Sequence, residues 1–118
     1  MATILIIDDA AFSRRMLRKY LQIDGYEILE AVNGQEGLEM IKSHQPNCVL
    51  TDLLMPDING FELLKLLKQE NLKVPAIIIS ADIQDSSRQQ GMELGAVGFI
   101  NKPAKEDEVR QAVRQIFA

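Results

Sequence analysis

The chain has 118 residues, 47% hydrophobic and 25% charged, the composition of one compact domain able to bury roughly two thirds of its unfolded surface without a disulfide or metal staple. Its net charge of -4 argues against broad nucleic-acid binding, which needs clustered Lys and Arg. One cysteine and one histidine exclude an internal disulfide, a cysteine-based zinc site and a His-pair metal site, and no apolar stretch nears the roughly 18 residues of a membrane span.

In chain order, Thr3-Ile4-Leu5-Ile6-Ile7 is continuous and β-branched, which predicts a strand buried on both faces. No basic region precedes it and Asp8-Asp9 follows at once, so it is not a secretion signal. Phe12, Met16 and Tyr20 then recur every four residues, with Leu17 and Leu21 on the adjacent row and Arg14, Arg15, Arg18 and Lys19 between them. This is an amphipathic helix closed by Asp24-Gly25. Its basic face is either a solvated surface or a docking face for a kinase or phosphatase.

Residues 26–31 predict a second strand, Asn33-Gly34 a turn or cap, and residues 35–43 a helix with Leu38 and Ile41 inward, bounded by Pro46. His44 reads as a surface or helix-end histidine. Residues 48–51 predict a third buried strand in which Cys48 is inert core, followed by a turn-rich loop from Asp52 to Gly60. A helix over 61–69 carries Phe61, Leu64 and Leu67 on one face. Residues 75–79 predict a fourth strand and 84–94 a more polar helix containing Gly91, either a close-packing site or a mark of mobility. Residues 97–100 give a fifth strand ended by Pro103, and Val109, Val113, Ile116 and Phe117 form the apolar face of the last helix.

Five strands alternating with five helices imply right-handed crossovers and an α/β fold with a doubly wound parallel sheet. Such sheets place their sites at the carboxyl ends of the strands. Asp8 and Asp9 follow the first strand, Asp52 the third, Ser80 the fourth and Lys102 the fifth. Three converging carboxylates repel one another, and a cation relieves that repulsion. An all-oxygen set suits Mg²⁺, while Lys102 and Ser80 offer a charge and a hydroxyl to a phosphoryl group. An aspartate can itself accept that group.

These residues, with the segment Asp52-Leu53-Leu54-Met55-Pro56-Asp57-Ile58-Asn59-Gly60, the pair Ser80-Ala81 and Phe99-Ile100-Asn101-Lys102-Pro103, make the chain resemble the receiver domains of two-component response regulators over essentially its whole length. Among these it is most similar to stand-alone chemotaxis-type receivers. The resemblance implies a flavodoxin-like (βα)5 fold with strand order 2-1-3-4-5. It implies that Asp52 accepts a phosphoryl group from a partner's phosphohistidine, that Asp9, Asp52 and the Leu54 backbone carbonyl hold Mg²⁺, and that Asp8 acts mainly through water on the metal. Lys102 would pair with the phosphoryl group and Ser80 would hydrogen-bond it after moving inward. Phe99, otherwise simply core, would swap between exposed and buried rotamers, with Pro103 following Lys102 in the cis form. Gly60 and Asp82 would support the site.

The implied partners are a sensor histidine kinase or histidine phosphotransferase and a downstream protein, such as a flagellar motor component or phosphorelay transferase, bound by the fourth helix, fifth strand and fifth helix. Nucleic acid and membrane are not expected as partners. A cytoplasmic monomer or weak dimer is expected, acting on its own Asp52 and not as an enzyme on separate substrates. A receiver excised from a longer transcription factor or hybrid kinase is the alternative to a single domain without an effector. A free-standing Mg²⁺-dependent phosphohydrolase is disfavoured, because Leu54 stands where such enzymes need a second acid and no cap insertion appears. The sequence departs from many receivers at Leu54, at Asp82 and at Ala104, where a bulky aromatic is common. Leu54 and Asp82 flank the path of a hydrolytic water, so together they are expected to set phosphate lifetime.

Overall fold

Each apolar run becomes a strand and each periodic segment a helix in the computed structural model, which describes residues 2–82 and 84–118. The order is β1 (Thr3–Ile7), α1 (Ala11–Gln22), β2 (Glu27–Ala31), α2 (Gly34–His44), β3 (Cys48–Asp52), α3 (Gly60–Gln69), β4 (Ala76–Ser80), α4 (Asp85–Glu93), β5 (Gly98–Asn101) and α5 (Glu106–Phe117). The strands form one parallel sheet in the order β2-β1-β3-β4-β5, the flavodoxin-like arrangement expected. Alternation along each strand then sorts the core into two layers. Leu5, Ile7, Val49 and Ile78 pack with Leu38 and Ile41 of α2 and Leu63, Leu64 and Leu67 of α3. Ile4, Ile6, Leu50, Ile77 and Ile79 pack on the other face with Leu17 and Leu21 of α1 and Val109 and Val113 of α5. Each such aliphatic side chain contributes about 1.5–3 kcal/mol by leaving water, which is why strands buried on both faces read as unbroken apolar runs.

Three expectations shift. In α1 the row that enters the core is Leu17 and Leu21, and Phe12 projects outward at 70% exposure, because the sheet lies under the adjacent row. In α3 the buried face is Leu63, Leu64 and Leu67, with Phe61 only partly covered. Gly91 is a close-packing site: a Cβ there would stand 3.0 Å from Ile78 Cδ1 and 3.4 Å from Phe99 Cδ2. Cys48 is buried, which pushes its thiol up to about 12 and leaves it inert. Among the described residues, no helix is long and apolar enough to cross a membrane.

Candidate functional site at the carboxyl edge of the sheet

β1 ends at Ile7 and β3 at Asp52, neighbours in the sheet, so Asp8 and Asp9 after β1 and Asp52 at the end of β3 meet over one edge. Oxygens of Asp8, Asp9 and Asp52 all lie within 4.8 Å of one another. Asp8 is buried, Asp52 half-buried and Asp9 exposed. Lys102, arriving from the end of β5, sets its Nζ 3.0 Å from Asp8 Oδ2 and 3.4 Å from Asp52 Oδ2. The Lys102–Pro103 peptide is cis.

One ammonium faces three carboxylates, and the electrostatics reflect it. Burial pushes the Asp52 carboxyl above its ordinary range and the charge of Asp8 adds to this, against the opposing pull of Lys102. For Lys102, burial would depress the ammonium, but the hydrogen bond to Asp8 and the charges of Asp52 and Asp8 outweigh it and hold the pKa above its usual value. A hard divalent cation fits this donor set, because clustered carboxylate oxygens carrying unbalanced negative charge are what such ions bind.

The carboxylates differ in how free they are. Asp8 Oδ1 accepts the Ala10 N–H at 2.9 Å, and Oδ2 is engaged by Lys102. Asp52 Oδ1 accepts the N–H of Leu53 at 2.8 Å and its Oδ2 faces the site. Asp9 is the exposed member of the cluster.

The loop after Asp52 is closed by the Gly60 N–H donating to the Leu53 carbonyl at 2.8 Å. A Cβ at Gly60 would stand 3.0 Å from the Asp52 carbonyl, so glycine lets α3 start directly against the site. Asn59 and Glu62 form a reciprocal capping box there. Leu54 is 67% exposed beside the cluster.

Ser80 is the last residue of β4, fully buried, and its hydroxyl accepts the Asp82 N–H at 3.0 Å. The Asp82 side chain is engaged by the start of α4. Its Oδ1 accepts the Gln84 N–H at 2.9 Å and its Oδ2 the Ser87 hydroxyl at 2.5 Å, so it ties the segment before α4 to the helix's first turn. The Asn101 amide holds the Asp82 carbonyl at 3.1 Å, linking the end of β5 to the same turn. Phe99 is buried against Gly91 and Ile78, with the Arg88 guanidinium 5.8 Å from its ring centroid.

The sequence missed two further features. Asp57 accepts the N–H groups of Gly34 at 3.1 Å and Gln35 at 2.9 Å, pinning the loop after β3 to the start of α2. Arg14 and Arg18, expected on a uniform basic face, both bind Glu30 of β2, whereas Arg15 and Lys19 are exposed. Their four-residue spacing opposite a single strand glutamate was the available signal. Beside the site, Ala104 leaves open a groove of about 430 Å³ that Phe12, Met16, Tyr20 and Pro103 help to line.

A doubly wound parallel sheet in the order 2-1-3-4-5, with carboxylates and a lysine gathered at its carboxyl edge, places the chain in the flavodoxin-like fold class. The chain belongs to the response regulator receiver domain family, whose description matches residues 4–114. It is 39% identical over 114 residues to the probable transcriptional regulator ycf27 of Porphyridium aerugineum, covering 97% of this chain and 47% of that protein. It is also 39% identical over 113 residues to the chemotaxis protein CheY of Bacillus subtilis, covering 95% of this chain and 94% of that one. The chain thus spans about half the length of the first relative and nearly all of the second. Its fold superimposes on the receiver domain of the Francisella response regulator 1452 with a TM-score of 0.94 at 26% identity, covering 99% of this chain and 97% of that one.

Proposed function

We propose that this receiver is a phosphorylation-controlled switch in which Asp52 is the phosphoacceptor. Lys102 carries the reading: its Nζ reaches both Asp8 and Asp52 at the edge where three carboxylates crowd. The Asp52 carboxylate attacks the phosphorus of a phosphohistidine on a kinase or histidine phosphotransferase. The P–N bond breaks, the imidazole leaves with the electron pair and takes up a proton, and an acyl phosphate remains on Asp52. Asp9, Asp52 and the Leu54 carbonyl would hold a Mg²⁺ ion, which would neutralise charge on the incoming group. Asp8, whose oxygens already serve Lys102 and Ala10, acts from behind these ligands and keeps the ammonium aimed at Asp52.

The added group brings about -1.5 to -2 charge and three acceptor oxygens. Lys102 and the Ser80 hydroxyl gain a partner, and when Ser80 turns to it the Asp82 N–H loses its acceptor. That loss disturbs the turn before α4, a helix whose one buried residue among those described is Gly91. Phe99 lies behind this turn and changes rotamer with it. Few buried anchors suit an element that shifts between states. The output face is α4, β5 and α5, where Met92 and Val97 are already exposed apolar residues. A downstream protein binds that face, and hydrolysis on Asp52 resets the domain, so no separate substrate is turned over.

Incubation with Mg²⁺ and acetyl phosphate, followed by intact mass, is expected to add one phosphoryl group. Asp52→Ala is expected to abolish the adduct. A retained adduct, or turnover of a generic phosphomonoester, would overturn the reading.

A further inference from the structure

The backbone that carries Asp9 is held by hydrogen bonds on both sides, and one side chain from α1 supplies an essential part of them. β1 leaves the sheet with the Asp8 N–H still donating to the Ala31 carbonyl at 3.1 Å. Asp8 then folds its own carboxylate back to the Ala10 N–H at 2.9 Å, which fixes the peptide after Asp9. The peptide before Asp9 is fixed from elsewhere: Arg14 Nη1 donates to the Asp8 carbonyl at 2.6 Å. Helical side chains lean toward the N-terminus of their helix, so a residue in the second turn of α1 is placed to reach back in this way. The Arg14 N–H also donates to the Ala10 carbonyl at 3.1 Å, so one residue grips the turn through side chain and backbone together.

Among the described residues, no other side chain donates to the Asp8 carbonyl. The N-cap residue is Ala10, with no side-chain cap, and no acidic residue occupies the first turn. Arg14 is itself held. Its Nε donates to Glu30 Oε1 at 3.1 Å, and the other oxygen of Glu30 is engaged by Arg18 at 2.7 Å. The Arg14 side chain is only 15% exposed, less than half the 35% of Arg18.

We propose that Arg14 is a positioning residue for the divalent cation: braced by Glu30, it fixes the Asp8 carbonyl and thereby the backbone from which Asp9 reaches the metal. The inference rests on the reading that Asp9 and Asp52 ligate Mg²⁺. Mg²⁺ demands near-ideal octahedral geometry at about 2.0–2.1 Å, so a ligand on a loosened turn binds it poorly. Outer partners that orient metal ligands typically govern affinity by about 10–100-fold. A guanidinium acting by charge alone would have the opposite sign, because it repels the cation and its removal would tighten binding. The fork of an arginine spans Glu30 and the Asp8 carbonyl at once, whereas the single nitrogen of a lysine does not.

The test is calorimetric titration of Mg²⁺ into the wild type, Arg14→Ala, Arg14→Lys and Arg18→Ala, with a thermal melt of each. Arg18→Ala removes an equal charge and a bond to the same Glu30 without touching the Asp8 carbonyl. Arg14→Ala and Arg14→Lys are expected to weaken Mg²⁺ binding by about tenfold or more, with Arg18→Ala within about twofold of wild type. Arg14→Lys keeps charge and most of the packing, so its loss of affinity is not a folding defect when its melt matches wild type. Tighter or unchanged binding in both Arg14 variants would overturn the inference while leaving the metal reading intact. An equal loss in Arg18→Ala would also overturn it, since the effect would then follow Glu30 and charge. A wild type that binds no Mg²⁺ would remove the metal reading and the inference with it.

Discussion

Two glycines show how tightly single atoms control the approach of α2 to the site. A Cβ at Gly34 would stand 2.5 Å from the Ile58 carbonyl oxygen and 2.7 Å from its Cβ, and only a backbone shift relieves that. A Cβ at Gly37 would meet side-chain atoms of Ile7 first, its terminal Cδ1 nearest, rather than backbone. Overpacking of this kind costs about 1–3 kcal/mol. Denaturant unfolding is expected to place Gly34→Ala at the upper end of that range and Gly37→Ala below it. Equal midpoints for Gly34→Ala and wild type would contradict the close contact. The two residues beside the phosphoryl path also separate. Leu54 is exposed next to Asp52, and an amide there can orient a water, so Leu54→Asn is expected to change the lifetime of the aspartyl phosphate. Each Asp82 oxygen already accepts a hydrogen bond from the start of α4, so Asp82→Ala is expected to leave the lifetime within about twofold, while losing bonds whose usual net worth is about 1 kcal/mol each. Amide hydrogen exchange across residues 85–90 would report that loss as faster exchange in the first turn of α4.

At the scale of elements, α5 is tied to the turn before β2 by charge. Asp24 accepts from Arg110 at 2.7 and 3.1 Å and from Arg114 at 3.1 Å. The hydrogen bond from Arg110, stronger here than the opposing effect of burial and aided by Arg114, holds the Asp24 carboxyl at about 2, below its ordinary 3.8. A carboxyl depressed on folding stabilises the native state above its unfolded pKa and loses that contribution as pH falls through the folded one. The thermal midpoints of wild type and Asp24→Asn are therefore expected to differ by a constant amount above about pH 5 and to converge between pH 4 and 2. A gap that persists at pH 2 would mean the carboxylate charge is not what ties α5 down. This tie was not legible in the sequence, because it joins residues 86 apart. The same holds for Asp57 capping α2 and for Glu30 holding Arg14, which depend on sheet register and crossover geometry. The central strands β1, β3 and β4 were legible because burial on both faces leaves no polar alternation to mistake for a helix. The edge cluster was legible because parallel topology forces the ends of β1, β3, β4 and β5 together. The facing row of α1 was not: Phe12, Met16 and Tyr20 make as good an apolar stripe as Leu17 and Leu21, and only the position of the sheet chooses between them.

For the molecule as a whole, the net negative charge is concentrated where it destabilises the fold and prepares it for a cation. Two of the three clustered carboxylates are at least half removed from water, and one ammonium does not balance them. An ion that binds the folded edge and not the unfolded chain stabilises by mass action. At a Mg²⁺ concentration ten times the dissociation constant this amounts to about 1.4 kcal/mol. For a chain of 118 residues that raises the thermal midpoint by about 5 °C. Asp9→Asn is expected to remove most of this rise with little change in the metal-free midpoint, because Asp9 is exposed and its side chain joins no hydrogen bond or ion pair among the described residues. Asp52→Asn is expected to remove the rise as well, but to start from a higher metal-free midpoint, since it deletes a half-buried charge held beside Asp8. Differential scanning with and without Mg²⁺ on the three proteins distinguishes these cases. If Asp52→Asn melted below wild type without metal, the Asp52–Lys102 contact would outweigh the repulsion, and the edge would be built for its own ion pair before any cation arrives.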